Sequence, residues 1–244
     1  MLLKTRGIVL KSVDYTDNSI VVQLFTLDVG LQSYLVSGVR KAKSRIGQAL
    51  FSPFSLLEVV VYHKPNGGVQ RLSDAKQAPI LQSIPFDVVK RSMVLFLHEV
   101  LCKSLPRDTP DEPLFNYIFN AIEWLDYDIS HDAANFHLKF LAGMTKFLGF
   151  MPAILQYSSE TICFDLRQGV FLNTLPQHSD YIGDKNQLYQ WKIIFNTSIN
   201  TPLPIKLNAK QRQELLVHVL NYYRLHLSNF GVIKSLAILQ EIFN

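Results

Sequence analysis

The hydrophobic pattern of this chain changes period once, and that change limits the folds open to it. Up to residue 77, apolar residues come in short β-branched and aromatic runs broken by tight turns; from residue 86 they recur every three to four positions. The first pattern is that of strands and the second that of helices. Ile8-Val9-Leu10 and Ser19–Leu27 are the first two runs, and Asp28-Val29-Gly30 is a hairpin-length turn into the third. In that third run Leu31, Leu35 and Val39 share a face with Ser33 and Ser37, opposite Gln32, Tyr34 and Val36. Phe54–His63 is the fourth, Pro65-Asn66-Gly67-Gly68 is the strongest turn signal in the chain, and Val69–Gln77 is the fifth. Five short strands leave exposed edges unless they close on themselves, so the spacing predicts a small five-stranded barrel of the OB type over residues 1–80.

The remainder, 81–244, predicts an α-helical domain. Val89, Met93, Phe96, Leu97, Val100 and Leu101 form one stripe, which Pro106 ends. Asp111 is placed to cap a second helix through Leu114, Ile118, Ile122 and Leu125. Phe136, Phe140, Leu141, Met144, Phe147 and Leu148 make a third, stopped by Gly149 and Pro152. Residues 153–203 are weakly patterned and read as an irregular insertion with a short hairpin near Thr161–Leu172. Asn208 then caps a long helix carrying Leu215, Leu216, Val219, Leu220, Tyr223 and Leu227, and a last short helix covers Ile233–Ile242. The expected class is therefore α+β, in two domains.

The net charge of +4 is unevenly placed. Residues 1–80 hold ten Lys/Arg against five Asp/Glu, an excess of +5, and the other 164 residues come to −1. A basic excess confined to one segment points to a polyanionic partner there. Its densest part is Arg40-Lys41-Ala42-Lys43-Ser44-Arg45, between the third and fourth strands and too charged to be buried. Loops beside an OB barrel guide a nucleic-acid backbone while exposed aromatics stack on bases. On that basis Arg40, Lys41, Lys43 and Arg45 are candidate phosphate contacts, Lys11, Lys64 and Arg71 extend the track, and Tyr34 and Tyr62 are candidate stacking residues. The bland reading is a solubilising loop and ordinary tyrosine packing. Late in the chain, Tyr222, Arg224 and Lys234 are a candidate second contact, with Tyr223 facing the core; helix packing is the competing reading.

Catalytic and metal signatures are missing. No Walker loop, H-E-x-x-H, G-x-S-x-G or G-x-G-x-x-G occurs, and the acids are sparse, Asp126 and Asp128 reading as a solvated helix end. Cys102 and Cys163 are 61 residues apart, too few for a disulfide framework, and Cys163 has no cysteine or histidine within ten residues, so neither a zinc site nor any cofactor is expected. The first residues, MLLKTRGIVLK, are interrupted by Lys4 and Arg6 and lack a small-residue cleavage site, so they do not read as a signal peptide. No apolar stretch is long enough to span a membrane, and a cytoplasmic protein is expected.

The motifs themselves carry a resemblance. Lys4–Leu10 (KTRGIVL), Tyr15 with Ser19-Ile20-Val21, Phe25-Thr26 with Gly30, Gly38–Ser44 (GVRKAKS), Pro53–Glu58 (PFSLLE), Phe147–Pro152 (FLGFMP) and Tyr222–Leu236 follow one another in the order found in the bacterial recombination mediator family RecO. Within that family the chain is similar to Bacteroidetes members. The resemblance spans nearly the whole length. It implies an N-terminal OB-fold, a helical C-terminal domain and a non-enzymatic role. In that role the protein binds single- and double-stranded DNA, anneals complementary strands and joins RecR to load RecA onto strands coated by single-stranded-DNA-binding protein (SSB), whose C-terminal tail it contacts. It also implies a location in the cytoplasm at the nucleoid, and maps the family's barrel-loop bases onto Arg40, Lys41 and Lys43. Many members carry a four-cysteine zinc module after the G-x-x-P segment; here only Cys163 follows Pro152, so metal is not expected. An OB-fold RNA binder, a protein-recruiting adaptor and a metal-dependent nuclease are the alternatives.

Overall fold

A computed structural model describes residues 1–40, 46–64, 67–106, 109–128 and 132–242. Contacts divide the chain into two compact units, Met1–Tyr127 and Asp128–Asn244. The strand-to-helix change expected at residue 80 is where the secondary structure switches, whereas compaction divides the chain later, after two helices.

In the first unit five strands close into a barrel: β1 (Leu2–Thr16), β2 (Ser19–Thr26), β3 (Gly30–Ser37), β4 (Leu56–Tyr62) and β5 (Gln70–Gln77). Their order is β1-β2-β3-β5-β4, with β1 pairing back to β4. Every pairing is antiparallel except β3–β5, which is parallel and runs through only Tyr34↔Gln70 and Leu35↔Arg71. This is the OB topology. One face of each strand fills the interior, where Val9, Ile20, Val22, Leu24, Tyr34, Val36, Leu57, Val59, Val61 and Leu72 form the core. β1 serves two neighbours by changing register at Leu10 and again at Tyr15, the irregularities that let a long strand bend around a small barrel.

Two helices, α1 (Val88–Ser104) and α2 (Glu112–Tyr127), cover part of the outer wall. Asp111 caps α2 as the sequence implies, accepting from Leu114 N at 2.9 Å, and α1 is capped by Asp87, which accepts from Lys90 N at 2.9 Å. Phe25, on the outer face of β2, packs on Phe115 with ring centroids 5.8 Å apart. The Arg6 guanidinium lies 4.9 Å over the Phe119 ring and donates to Asn116 Oδ1 at 3.1 Å. His98 on α1 donates through Nε2 to the Leu10 carbonyl at the β1 bulge. Asp126 is not the solvated helix end that the sequence suggests. It is buried, and its carboxylate accepts from the backbone N–H groups of Gln82 (2.6 Å), Ser83 (2.8 Å) and Ile84 (2.8 Å). Those three N–H groups turn the chain out of the barrel and have no strand partner, so a charged acceptor is what satisfies them.

The second unit contains α3 (Phe136–Phe147), a small sheet of order β7-β6-β8, and α4, α5 and α6. The strands are β6 (Cys163–Asp165), β7 (Val170–Leu172) and β8 (Tyr181–Ile182); the helices are α4 (Lys185–Asn196), α5 (Ala209–His226) and α6 (Leu236–Ile242). The hairpin expected near 161–172 is β6–β7, and the stretch expected to be irregular also supplies β8 and α4. Its core is aromatic: Phe164, Trp191, Phe195 and Tyr222 form a connected cluster, with Trp191 fully buried. Asn208 caps α5 in a reciprocal capping box with Gln211, both bonds 2.9 Å.

Two measurements test these tethers. Truncating Asp126 leaves three buried N–H groups without an acceptor, so D126A is expected to lower unfolding free energy by about 3 kcal/mol in urea titrations. On the barrel wall, Glu58 lies 3.0 Å from Lys76 Nζ and 3.3 Å from Lys4 Nζ, and these cations hold its carboxyl below the ordinary 4.5. A lowered folded value contributes stability that is complete above about pH 4.5 and is lost as pH falls through the folded value. E58Q should therefore be less stable than wild type at neutral pH, with the difference closing in acid melts.

Candidate nucleic-acid interface

The barrel's outer wall is covered by helices on one side only. Elsewhere a single row of neighbours crosses all five strands in register: Val13 on β1, Val21 on β2, Leu35 on β3, Arg71 on β5 and Tyr62 on β4. Strand alternation turns Val21, Leu35, Arg71 and Tyr62 outward, since Ile20, Val22, Tyr34, Val36, Leu72 and Val61 beside them fill the core. Val13 and Tyr62 are each 48% exposed. A mainly apolar row left partly open to solvent on a barrel whose interior is already filled is the mark of a binding face.

Tyr15, Lys64, Val69 and Gln70 complete the row into a groove of about 620 Å³, together with Val21, Leu35, Tyr62, Gly67 and Arg71. Tyr15 is the bulged residue near the β1–β2 turn, and the bulge leaves its ring 67% exposed. Gln70 fixes the far wall: its Nε2 donates to the Lys64 carbonyl at 3.1 Å and its Oε1 accepts from Lys64 N at 2.9 Å. These two bonds hold Lys64, just past the end of β4, beside the β3–β5 seam. The groove thus sets two exposed phenol rings, apolar side chains and two cations in one concavity, the combination that stacks bases while following a backbone.

Lys64, Arg71 and Tyr62 are brought together here, as the sequence suggests. Tyr34 is not. It is fully buried in the barrel core, and burial pushes its hydroxyl up to about 12, so it is a packing residue. The alternation Ser33-Leu35-Ser37 already marks the outward face of β3; taking Tyr34 as exposed reverses it. Lys11 is exposed on β1 outside the groove. Tyr15, Val21, Leu35, Gly67, Val69 and Gln70 are the lining residues that sequence reasoning missed as site residues, and the β3 parity is the signal that finds Leu35.

Of the basic segment, Lys41, Lys43 and Arg45 lie outside the described residues. Arg40 is described, and its guanidinium is engaged: Nη2 lies 2.5 Å from Asp14 Oδ1, Nε donates to Gln48 Oε1 at 3.1 Å, and Nη1 to the Asp17 carbonyl at 3.4 Å.

The late candidate contact is also revised. Tyr222 is buried, because α5 turns both tyrosines inward: Tyr222 donates to the Phe150 carbonyl and Tyr223 to the Leu141 carbonyl, each at 2.7 Å. Gly169, at φ +70°, leaves the space for this; a Cβ there would stand 2.6 Å from the Tyr222 hydroxyl. Arg224 is exposed and donates to the Gly231 carbonyl at 3.2 Å, and Lys234 is exposed. Among the described residues no three His, Cys, Asp or Glu side chains converge as a metal site requires, and no described helix is long and apolar enough to cross a membrane.

An OB barrel continued by a helical region defines, with the sequence relationships, a DNA repair and recombination protein. The family model described as Recombination protein O N terminal matches residues 1–80, and that described as Recombination protein O C terminal matches 85–236. The chain belongs to the Recombination protein O family. It is 33% identical over 244 residues to the DNA repair protein RecO of Azobacteroides pseudotrichonymphae, and 36% over 251 residues to that of Flavobacterium psychrophilum. It is 35% identical over 247 residues to the same protein of Bacteroides fragilis, and in all three cases both chains are covered completely.

Proposed function

We propose that this chain is a non-catalytic DNA-binding recombination mediator, whose barrel holds single strands and duplexes and anneals complementary strands. The observation that carries this reading is the groove with Tyr15 and Tyr62 exposed beside Lys64 and Arg71. Stacking on a π-face and pairing with phosphate are both indifferent to base identity, so binding is sequence-tolerant. Annealing follows from the same contacts. Cations that neutralise two polyanions lower their mutual repulsion, and a strand held by backbone and base faces keeps its Watson–Crick edges for its complement. Lys64 and Arg71, with the basic segment Lys41, Lys43 and Arg45, supply the salt-dependent part of the affinity, and the aromatic and apolar side chains of the groove the salt-independent part. Arg224 and Lys234 are a secondary basic surface. Family membership supports the wider role: acting with RecR, at the nucleoid in the cytoplasm, to load RecA on strands coated by SSB, whose tail the protein engages.

Annealing of complementary oligonucleotides, with and without SSB, tests the reading directly; no acceleration overturns it, as does structured RNA outcompeting single-stranded DNA. Y62A is expected to lose about 1–3 kcal/mol of single-strand affinity, the worth of one base stack, whereas Y34F retains it. Reversing Lys41, Lys43 and Arg45 to Glu should flatten the plot of log affinity against log salt by about 2, three phosphate contacts at roughly 0.7 each.

A further inference from the structure

Arg40 opens the basic segment, yet every nitrogen of its guanidinium has a protein acceptor: the Asp14 carboxylate, the Gln48 amide oxygen and the Asp17 carbonyl. These are the contacts a phosphate would otherwise make. The stem of the segment does not need them. Gly38 N and Val39 N already donate to the Asn18 carbonyl at 2.7 and 3.2 Å, which stitches the end of β3 to the β1–β2 turn. The ion pair is also open to solvent, with the Arg40 and Asp14 side chains 38% and 62% exposed, so an incoming anion has access to both partners. Asp14 and Gln48 line the same open concavity, with Ser12, Val13, Phe51 and Ser52.

We propose that the Asp14 carboxylate occupies, at Arg40, the seat of one nucleic-acid phosphate, and so limits how many phosphates the barrel engages. This rests on the reading that the basic segment meets nucleic acid. While the Asp14 carboxylate holds the guanidinium, Arg40 makes no phosphate contact and displaces no condensed counterion from the nucleic acid. Arg40 therefore adds almost nothing to the salt dependence while Asp14 is present. Removing the Asp14 charge makes Arg40 a full phosphate contact.

The test is a salt series from 50 to 200 mM, measuring affinity for a labelled single-stranded oligonucleotide with wild type, D14N, R40Q and D14N/R40Q. D14N is expected to steepen the salt plot by about 0.7, so that about 2.6-fold more affinity is lost across that range than wild type loses. In the R40Q background the same substitution should change nothing. A D14N slope equal to wild type overturns the proposal. So does equal steepening with and without Arg40, which would make Asp14 a general repulsive charge. D14S, read alongside D14N and checked by thermal melts, keeps the result independent of any local misfolding. Wild-type binding with no salt dependence would instead bring down the underlying reading, a failure separate from a wild-type slope that D14N leaves alone.

Discussion

The barrel closes through two residue pairs. Tyr34↔Gln70 and Leu35↔Arg71 are the whole of the parallel β3–β5 seam, and the rest of the first unit's surface chemistry follows from that short junction. It places the first member of each pair on opposite sides of one strand: Tyr34 inward as core, Leu35 outward as groove floor. It brings Arg71 between Leu35 and Tyr62 although the three lie on three different strands. Gln70 reinforces it from the side by bonding Lys64 twice, so the residues that close the sheet also shape the groove. Barrel closure and the proposed recognition surface share the same few positions.

Much of this was legible in the sequence and some was not, for identifiable reasons. The five strands, the caps Asp111 and Asn208 and the β6–β7 hairpin carry local signals, because turns and caps are set by residues a few positions apart. Tyr34 and Tyr222 were misplaced by the same cause in two settings. A tyrosine has an apolar ring and a polar tip, so composition does not say which end faces water. For Tyr34 the neighbouring serines resolve it; for Tyr222 the deciding partners are distant in sequence, among them Gly169, 53 positions away, whose missing side chain makes room for the hydroxyl. Asp126 belongs to the same class. Its partners at 82–84 are more than forty residues upstream, and no local pattern marks a carboxylate as the acceptor for a distant turn.

Electrostatics shows a similar limit. Counting charges along the chain locates the basic segment but assigns each cation equal weight. The structure separates them: Arg40 is committed to Asp14 across the β1–β2 turn, and Lys4 and Lys76 to Glu58 on the barrel wall. Lys64 and Arg71 face a concavity. A formal excess of +5 over residues 1–80 therefore overstates the potential available to a partner, and position decides which cations supply it.

The chain holds two tryptophans, Trp124 in the first unit and Trp191 in the second. Trp191 is sealed among Phe164, Phe195 and Tyr222, away from water. Each unit thus carries its own intrinsic fluorophore. The emission of a single-tryptophan variant reports the melting of one unit without a label, and whether the two halves come apart together or in turn becomes readable from the native chromophores alone.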